Sequence, residues 1–218
     1  MKVTYHQVTH PAQESLRLLE LRGPSYHCTW HFHPEYQLGL VIKGAGHRIV
    51  GDNIGPLEAG EVSLLGPNLP HAWQFDEPAT RRDRELHCII VYFTEDFLGA
   101  DFLKRSEAEL IRRLLKRAAV GLQVRGKTRR AAAALLQAMP AHEGFQRVLD
   151  LLQLLHLLAG SEELVPICSA GFLPKLPDQN GERLRKVCEL IQERIAEPLH
   201  RDEIAAAAHF SPGAFSRF

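Results

Sequence analysis

The chain has 218 residues, 45% of them hydrophobic and 24% charged, with Lys+Arg and Asp+Glu equal at 26 each. At roughly 100–200 residues per domain, that length fits a medium domain plus a small one. A net charge of zero excludes a broadly basic body wrapped in nucleic acid, so any DNA contact is confined to a local patch.

The opening segment, MKVTYHQVTHPAQ, has neither an apolar core nor a cleavage signal, and the apolar run over 88–93 is far too short to span a bilayer. A cytoplasmic protein without membrane association is expected. From residue 15 to residue 93 the sequence alternates short apolar runs (SLRLLEL, YQLGLVI, HRIV, EVSLL, LHCIIVYF) with turn-forming separators (RGPS, KGAG, GDNIGP, GPNLP). Closely spaced strands with such turns predict an all-β sandwich or barrel. Cys28, Cys88, Cys168 and Cys188 form no CxxC pair and read as reduced, mostly buried thiols.

Beyond residue 101 the period becomes helical. Over 105–118, Leu110, Ile111, Leu114, Leu115 and Ala118 share a face while Glu109 and Arg113 pair along another; 127–139 is Ala/Leu-rich and ends before Pro140. Over 142–159, the polar residues Gln146, Arg147, Asp150, Gln153 and His156 fall on one stripe and nearly everything else is apolar. Such a helix must be covered on more than one side, by the β domain and by a second copy of itself, which predicts a homodimer; the alternative is packing within one chain. Residues 161–181 carry three prolines and no period and read as a linker. A helix over 182–196 follows, then RDEIAAAA with Asp202 as its cap, then SPGAFSRF with Ser211 as N-cap and Pro212 at the first helical position. Two short helices joined by a tight turn outline a helix-turn-helix.

Five of the twelve histidines (His27, His31, His33, His47, His71) fall within 45 residues. If 31–43 is one strand, His31, His33 and Gln37 share a face, with successive residues on it about 6.6 Å apart. His71, after a Pro-rich turn, is expected from a neighbouring strand. Three neutral imidazoles suit a divalent transition metal (Zn, Ni, Cu or Fe), with the amide of Gln37 as a weaker, uncharged fourth ligand where a carboxylate would bind better. The alternative is a metal-free pocket whose histidines hydrogen-bond an effector or water. His6, His10, His142 and His200 have no spacing partners and read as surface residues.

HFHPEYQLGLVIKGAG followed by GPLEAGEVSLLGPNLPHAW resembles the two motifs of the cupin barrel, with Gln37 in place of the usual glutamate. With RLRKVCELIQERIAEPLHRDEIAAAAHFSPGAFSRF behind it, the chain resembles the AraC-type transcriptional regulators, in which a small-molecule-sensing cupin precedes a DNA-binding domain. The resemblance implies a mainly β plus α fold: a cupin effector-binding barrel over 1–100, a helical dimerisation segment over 101–160, the linker over 161–181 and a partial helix-turn-helix over 182–218. It implies DNA contacts from Ser211, Gly213, Ser216 and Arg217. Since the family has two helix-turn-helix units and this sequence stops within the first, weak or absent DNA binding by this chain is expected. It also implies an effector pocket formed by Trp30, His31, His33, Gln37, Arg48, His71 and Trp73, with the two tryptophans near the rim and Arg48 either meeting a carboxylate on the ligand or lying on a solvent-facing strand edge. A ligand-sensing regulator without catalytic residues is therefore expected. The alternatives are a metal-dependent cupin enzyme, a dioxygenase or isomerase using the three histidines, and a dimerising decoy that titrates full-length partners.

Overall fold

The computed structural model describes residues 3–9, 14–23, 29–76, 86–172, 190 and 200–207. Packing divides the chain into two units, Met1–Pro174 and Lys175–Phe218.

The first unit carries eleven strands among its described residues: β1 (Thr4–Tyr5), β2 (Leu16–Gly23), β3 (His31–Phe32), β4 (Tyr36–Lys43), β5 (Gly46–Val50), β6 (Asn53–Leu57), β7 (Val62–Leu65), β8 (His71–Phe75), β9 (Leu86–Phe93), β10 (Leu122–Val124) and β11 (Leu164–Pro166). They form a five-stranded sheet, β1-β3-β8-β5-β6, and a six-stranded sheet, β11-β10-β7-β4-β9-β2. All pairings are antiparallel except β1 with β3. Three helices follow the strands of the expected barrel: α1 (Glu109–Arg117), α2 (Gly126–Ala138) and α3 (Phe145–Ala159). The fold is mainly β plus α, as the sequence led one to expect.

The six-stranded sheet is covered on both faces, which explains why β4 and β9 are apolar almost without interruption. Leu38, Leu40, Val62, Leu64, Ile89, Val91 and Phe93 pack in one cluster with Leu114, Leu115, Leu136, Leu151, Leu154, Leu155 and Leu158 of the helices. On the other face Val41, Cys88, Ile90 and Tyr92 join Leu57 and Trp73 of the five-stranded sheet. Each leucine removed from water in this way contributes about 1.5–3 kcal/mol.

Three readings of the sequence change. Residues 31–43 are two strands in different sheets, because His33-Pro34-Glu35 carries the chain across from one sheet to the other. The segment taken as linker begins with a strand: Leu164–Pro166 pairs with Leu122–Val124, itself a short strand between helices. Proline is tolerated there because β11 is the sheet's edge and its last residue needs no donor. On α3, Asp150 is buried rather than part of a solvent stripe, accepting hydrogen bonds from His142 Nδ1 at 2.7 Å and Gln146 Nε2 at 3.0 Å. His142 thereby acquires a partner that its spacing did not suggest.

In the second unit a helix spans Arg201–Ala207 with Ala205 buried. His200 O accepts from the amides of Glu203 and Ile204, so Asp202 lies within the first turn, where its charge complements the helix dipole, instead of capping it. The expected helix over 182–196, apart from Leu190, and the expected DNA contacts Ser211, Gly213, Ser216 and Arg217 lie outside the described residues. Among the described residues no helix is long and apolar enough to cross a membrane.

Candidate functional site

Three elements bring the histidines together. His31 ends up opposite His71 because β3 pairs with β8 at that register. His33 follows β3 just before the crossover, and its carbonyl accepts from Asn68 N–H at 2.7 Å. Asn68 has φ of 58°, the left-handed conformation that asparagine tolerates, so the Gly66–Pro70 turn is tied to His33 as it leads into His71. The imidazole centroids lie 4.3 Å (His31–His71), 5.0 Å (His33–His71) and 5.6 Å (His31–His33) apart, and the ligating nitrogens all lie within 4.8 Å of one another.

Each ring is oriented from behind. His31 Nδ1–H donates to Thr29 O at 2.7 Å, His71 Nδ1–H to Leu69 O at 2.8 Å, and His33 Nδ1–H to Glu35 O at 3.2 Å. A backbone carbonyl only accepts, so each Nδ1 keeps its proton and each ring turns its Nε2 inward; at His31 and His71, which burial keeps neutral, that Nε2 offers a lone pair. Such a carbonyl behind a histidine is also what fixes the ring of a metal ligand. Gln37 reaches the same point from β4, its Oε1 3.2 Å from His33 Nε2 and 3.1 Å from His71 Nε2. Acceptors do not converge unless something positive lies between them or the amide turns over and its NH2 donates to both rings. Ligands about 2.1 Å from a common ion at tetrahedral angles stand about 3.4 Å apart, so the Gln37 contacts have the size of a coordination-shell edge. The residues fit a divalent transition metal held by His31, His33 and His71 with Gln37 beside them, and equally a neutral hydrogen-bonded cluster.

All four residues are at most 5% exposed. Burial lowers the His31 pKa from 6.5 to about 4, against the help of Thr29 O, and holds His71 well below its ordinary value, with the neighbouring imidazoles adding to the effect. Tyr92 stands edge-on to His33, ring centroids 5.1 Å apart. His6 is exposed, as expected, and also stacks edge-on at 5.0 Å from His31; only the parallel pairing of β1 with β3 brings it there, a pairing that no spacing within 31–71 announces.

The remaining pocket residues are placed differently. Trp73 is 3% exposed, inside the barrel rather than at its rim, because Gly39 opposite leaves room: a Cβ at Gly39 would stand 2.4 Å from the indole. Trp30 is half-buried. Arg48 is buried and already has a carboxylate in Glu61, with Nε 2.9 Å from Oε1. Its Nη1 donates to Asn53 Oδ1 at 3.2 Å and its Nη2 to Gln123 Oε1 at 3.5 Å, and Gln123 Nε2 donates to Glu61 Oε2 at 3.3 Å. Burial raises the Glu61 pKa although Arg48 opposes the shift. Cys88 and Cys168 are buried free thiols, pushed up to about 12 and about 11, and so are poor nucleophiles at neutral pH.

The model of the AraC-like ligand binding domain matches residues 15–159. No protein of curated function matches the sequence. Among solved structures, ToxT from Vibrio cholerae O395 bound to (E)-4-(8-methylnaphthalen-1-yl)but-3-enoic acid is similar with a TM-score of 0.50 at 10% identity, over 94% of this chain and 75% of that one. The AraC-like transcriptional activator CuxR has a TM-score of 0.44 at 10% identity, over 84% and 59%. An S161A mutant of Bacillus subtilis oxalate decarboxylase OxdC has a TM-score of 0.31 at 19% identity, over 38% and 22%. At these identities the likeness to ToxT is one of fold.

Proposed function

The chain belongs to the AraC-like ligand binding domain family, and from that premise we propose that it is a ligand-sensing transcriptional regulator. The barrel is the sensor, the segment over 182–218 the DNA-binding part, and 161–181 the connection between their functions. The observation that carries the reading is the buried cluster of His31, His33, His71 and Gln37, whose ring orientations are set by three backbone carbonyls. Either occupant of that cluster, a divalent transition metal or a small hydrogen-bonding molecule, shifts the protein only by as much as it favours one arrangement over another. Phe145 and Leu149 on α3 and Leu110 on α1, exposed at 70%, 44% and 52%, support a homodimer through the helices. A cytoplasmic location fits this role.

Transcript profiling in the producing cell, with the coding sequence removed and with His33→Ala or Gln37→Ala restored in its place, tests the reading. A small set of transcripts should change on removal and remain uncontrolled in the cluster variants. Unchanged transcripts would overturn it.

The inward-facing Nε2 atoms favour one second reading, a metal-dependent cupin enzyme. A bound metal would supply Lewis-acid or redox chemistry there, while His31, His33 and His71 would hold it. Turnover of a substrate by purified protein, lost in His33→Ala with transcripts unaffected, would establish that reading instead.

A further inference from the structure

His33, the most deeply buried of the three histidines at 1% exposed, has a carboxylate behind it. Glu35 lies two residues on, past Pro34, on the turn that carries the chain from β3 into β4. The turn folds both ends of Glu35 back onto one ring: its carbonyl accepts from His33 Nδ1–H at 3.2 Å, and its carboxylate Oε2 stands 3.4 Å from the same nitrogen. Glu35 is itself only 6% exposed. Behind His31 and His71 stand the neutral carbonyls of Thr29 and Leu69.

This charge matters because the inward side of the cluster has none. Among the described residues the converging donors are three imidazoles, joined by the Gln37 amide, with no carboxylate in the group. A divalent cation held by neutral ligands in a site this buried carries both of its charges out of reach of water, which is costly. A carboxylate one ring away offsets part of that cost, and its own burial is offset in return, since buried charges are screened much less than exposed ones. It also polarises the His33 Nδ1–H bond and strengthens Nε2 as a ligand, as a carboxylate behind a ligating histidine does.

We propose that Glu35 is the positioning residue of this cluster, supplying through His33 the negative charge that a bound divalent transition metal needs and that position 37, with an amide, does not provide. The inference rests on a metal as the occupant of the proposed sensor site, and it concerns charge rather than shape. Glutamine at position 35 keeps the size and an acceptor oxygen and removes only the charge.

Titration of the metal-free full chain with cobalt(II), followed by visible absorption, and with zinc(II), followed by calorimetry, tests the proposal. Glu35→Gln should bind both ions about 10–100-fold more weakly, the usual effect of removing such an outer partner. The cobalt bands of the saturated variant should keep their positions, because the ligating atoms are unchanged. Adding Gln37→Glu to Glu35→Gln should recover most of the loss, since the charge then enters the ligand set; a mere packing role for Glu35 would not be rescued in that way. Should Glu35→Gln not fold, Glu35→Asp decides, because it draws the charge back by one methylene and should cost about fourfold in affinity at an effective dielectric constant of about 20. Parent affinity in Glu35→Gln, or in Glu35→Asp where only that variant folds, would overturn the role, as would a failed rescue where Gln37→Glu alone tightens binding. A parent chain that takes up neither ion would also overturn it and leave the regulator reading with a small-molecule occupant. Metal binding that depends on Glu35, with transcripts unchanged on removal of the coding sequence, would instead keep the role of Glu35 and remove the regulator reading.

Discussion

At the scale of single residues, the buried imidazoles make stability depend on pH in a direction that can be worked out. Burial lowers the His31 pKa to about 4 and holds His71 well below 6.5. Unfolded, both return to about 6.5, so between those values the unfolded chain takes up protons that the native chain does not. Their contribution is present in full above about 6.5 and is lost as pH falls toward 4; for His31 alone it is on the order of 3 kcal/mol. Urea denaturation across that interval should show the fall, and His31→Phe should flatten it; an equal fall in the variant would place the titrating group elsewhere. Gln37 gives a second prediction, because an amide serves a neutral cluster by donating both N–H groups, whereas a carboxylate serves a cation. Gln37→Glu should tighten cobalt(II) or zinc binding by at least about tenfold, as a full negative charge joins the ligand set. Unchanged affinity would mean that position 37 does not face the ion. The sequence showed His31, His33, Gln37 and His71 as a group and expected His71 from a neighbouring strand, where β8 supplies it, but it put the other three on a single strand, when a proline crossover carries the chain between sheets. It hid His6, which only a parallel pairing brings to His31, and Glu61, which pairs with Arg48 from the residue before β7 in the other sheet.

At the scale of elements, the segment after β11 is fastened to the β5–β6 turn. Ser169 N–H donates to Asp52 Oδ1 at 3.1 Å, Ser169 Oγ donates to Asp52 Oδ2, and Cys168 Sγ lies 3.5 Å from Val50 O. Gly51 at the centre of that turn has φ of 55°, and a Cβ there would stand 2.6 Å from Cys168 Sγ. Val50 is also the register partner of His71, and Gly51 N–H donates to Pro70 O at 2.9 Å. The histidine site and the exit of the first unit therefore share one turn. Asp52→Ala should speed hydrogen exchange of the amides over 167–172 while leaving β4 and β9 protected; uniform exchange in variant and parent would show that the clip holds nothing. Strands β2, β4, β5, β7 and β9 and all three helices were legible because long apolar runs and a 3.6 period are strong local signals. Strands β10 and β11 were not, since three-residue strands have no period of their own and exist only because one lends its edge to the other. The same limit applies to Asp150, whose burial depends on a histidine eight residues earlier in the loop before α3.

At the scale of the whole molecule, the question is what covers the apolar surface that remains on the helices. Leu151, Leu154, Leu155 and Leu158 of α3 are fully buried against the sheet and the other helices, yet Phe145 and Leu149 on the same helix are 70% and 44% exposed, and Leu110 of α1 is 52% exposed. Single exposed leucines are ordinary, but a phenylalanine and a leucine one helical turn apart on an otherwise packed helix form a stripe of the kind that a second helix covers. A symmetric dimer places the stripe against its own copy, so one pair of substitutions acts twice. Phe145→Asp with Leu149→Asp should convert dimer to monomer in light scattering. The melting temperature measured at concentrations where the parent is also monomeric should be unchanged, because neither side chain contributes to the core of its own chain. A parent that scatters as a monomer at high concentration, or a double variant that remains dimeric, would remove the helices as the dimer interface. The double variant would also separate two parts of the proposed function, since the histidine cluster lies inside one chain and should keep its affinity for metal or effector after the dimer is lost, while control of transcripts should fail.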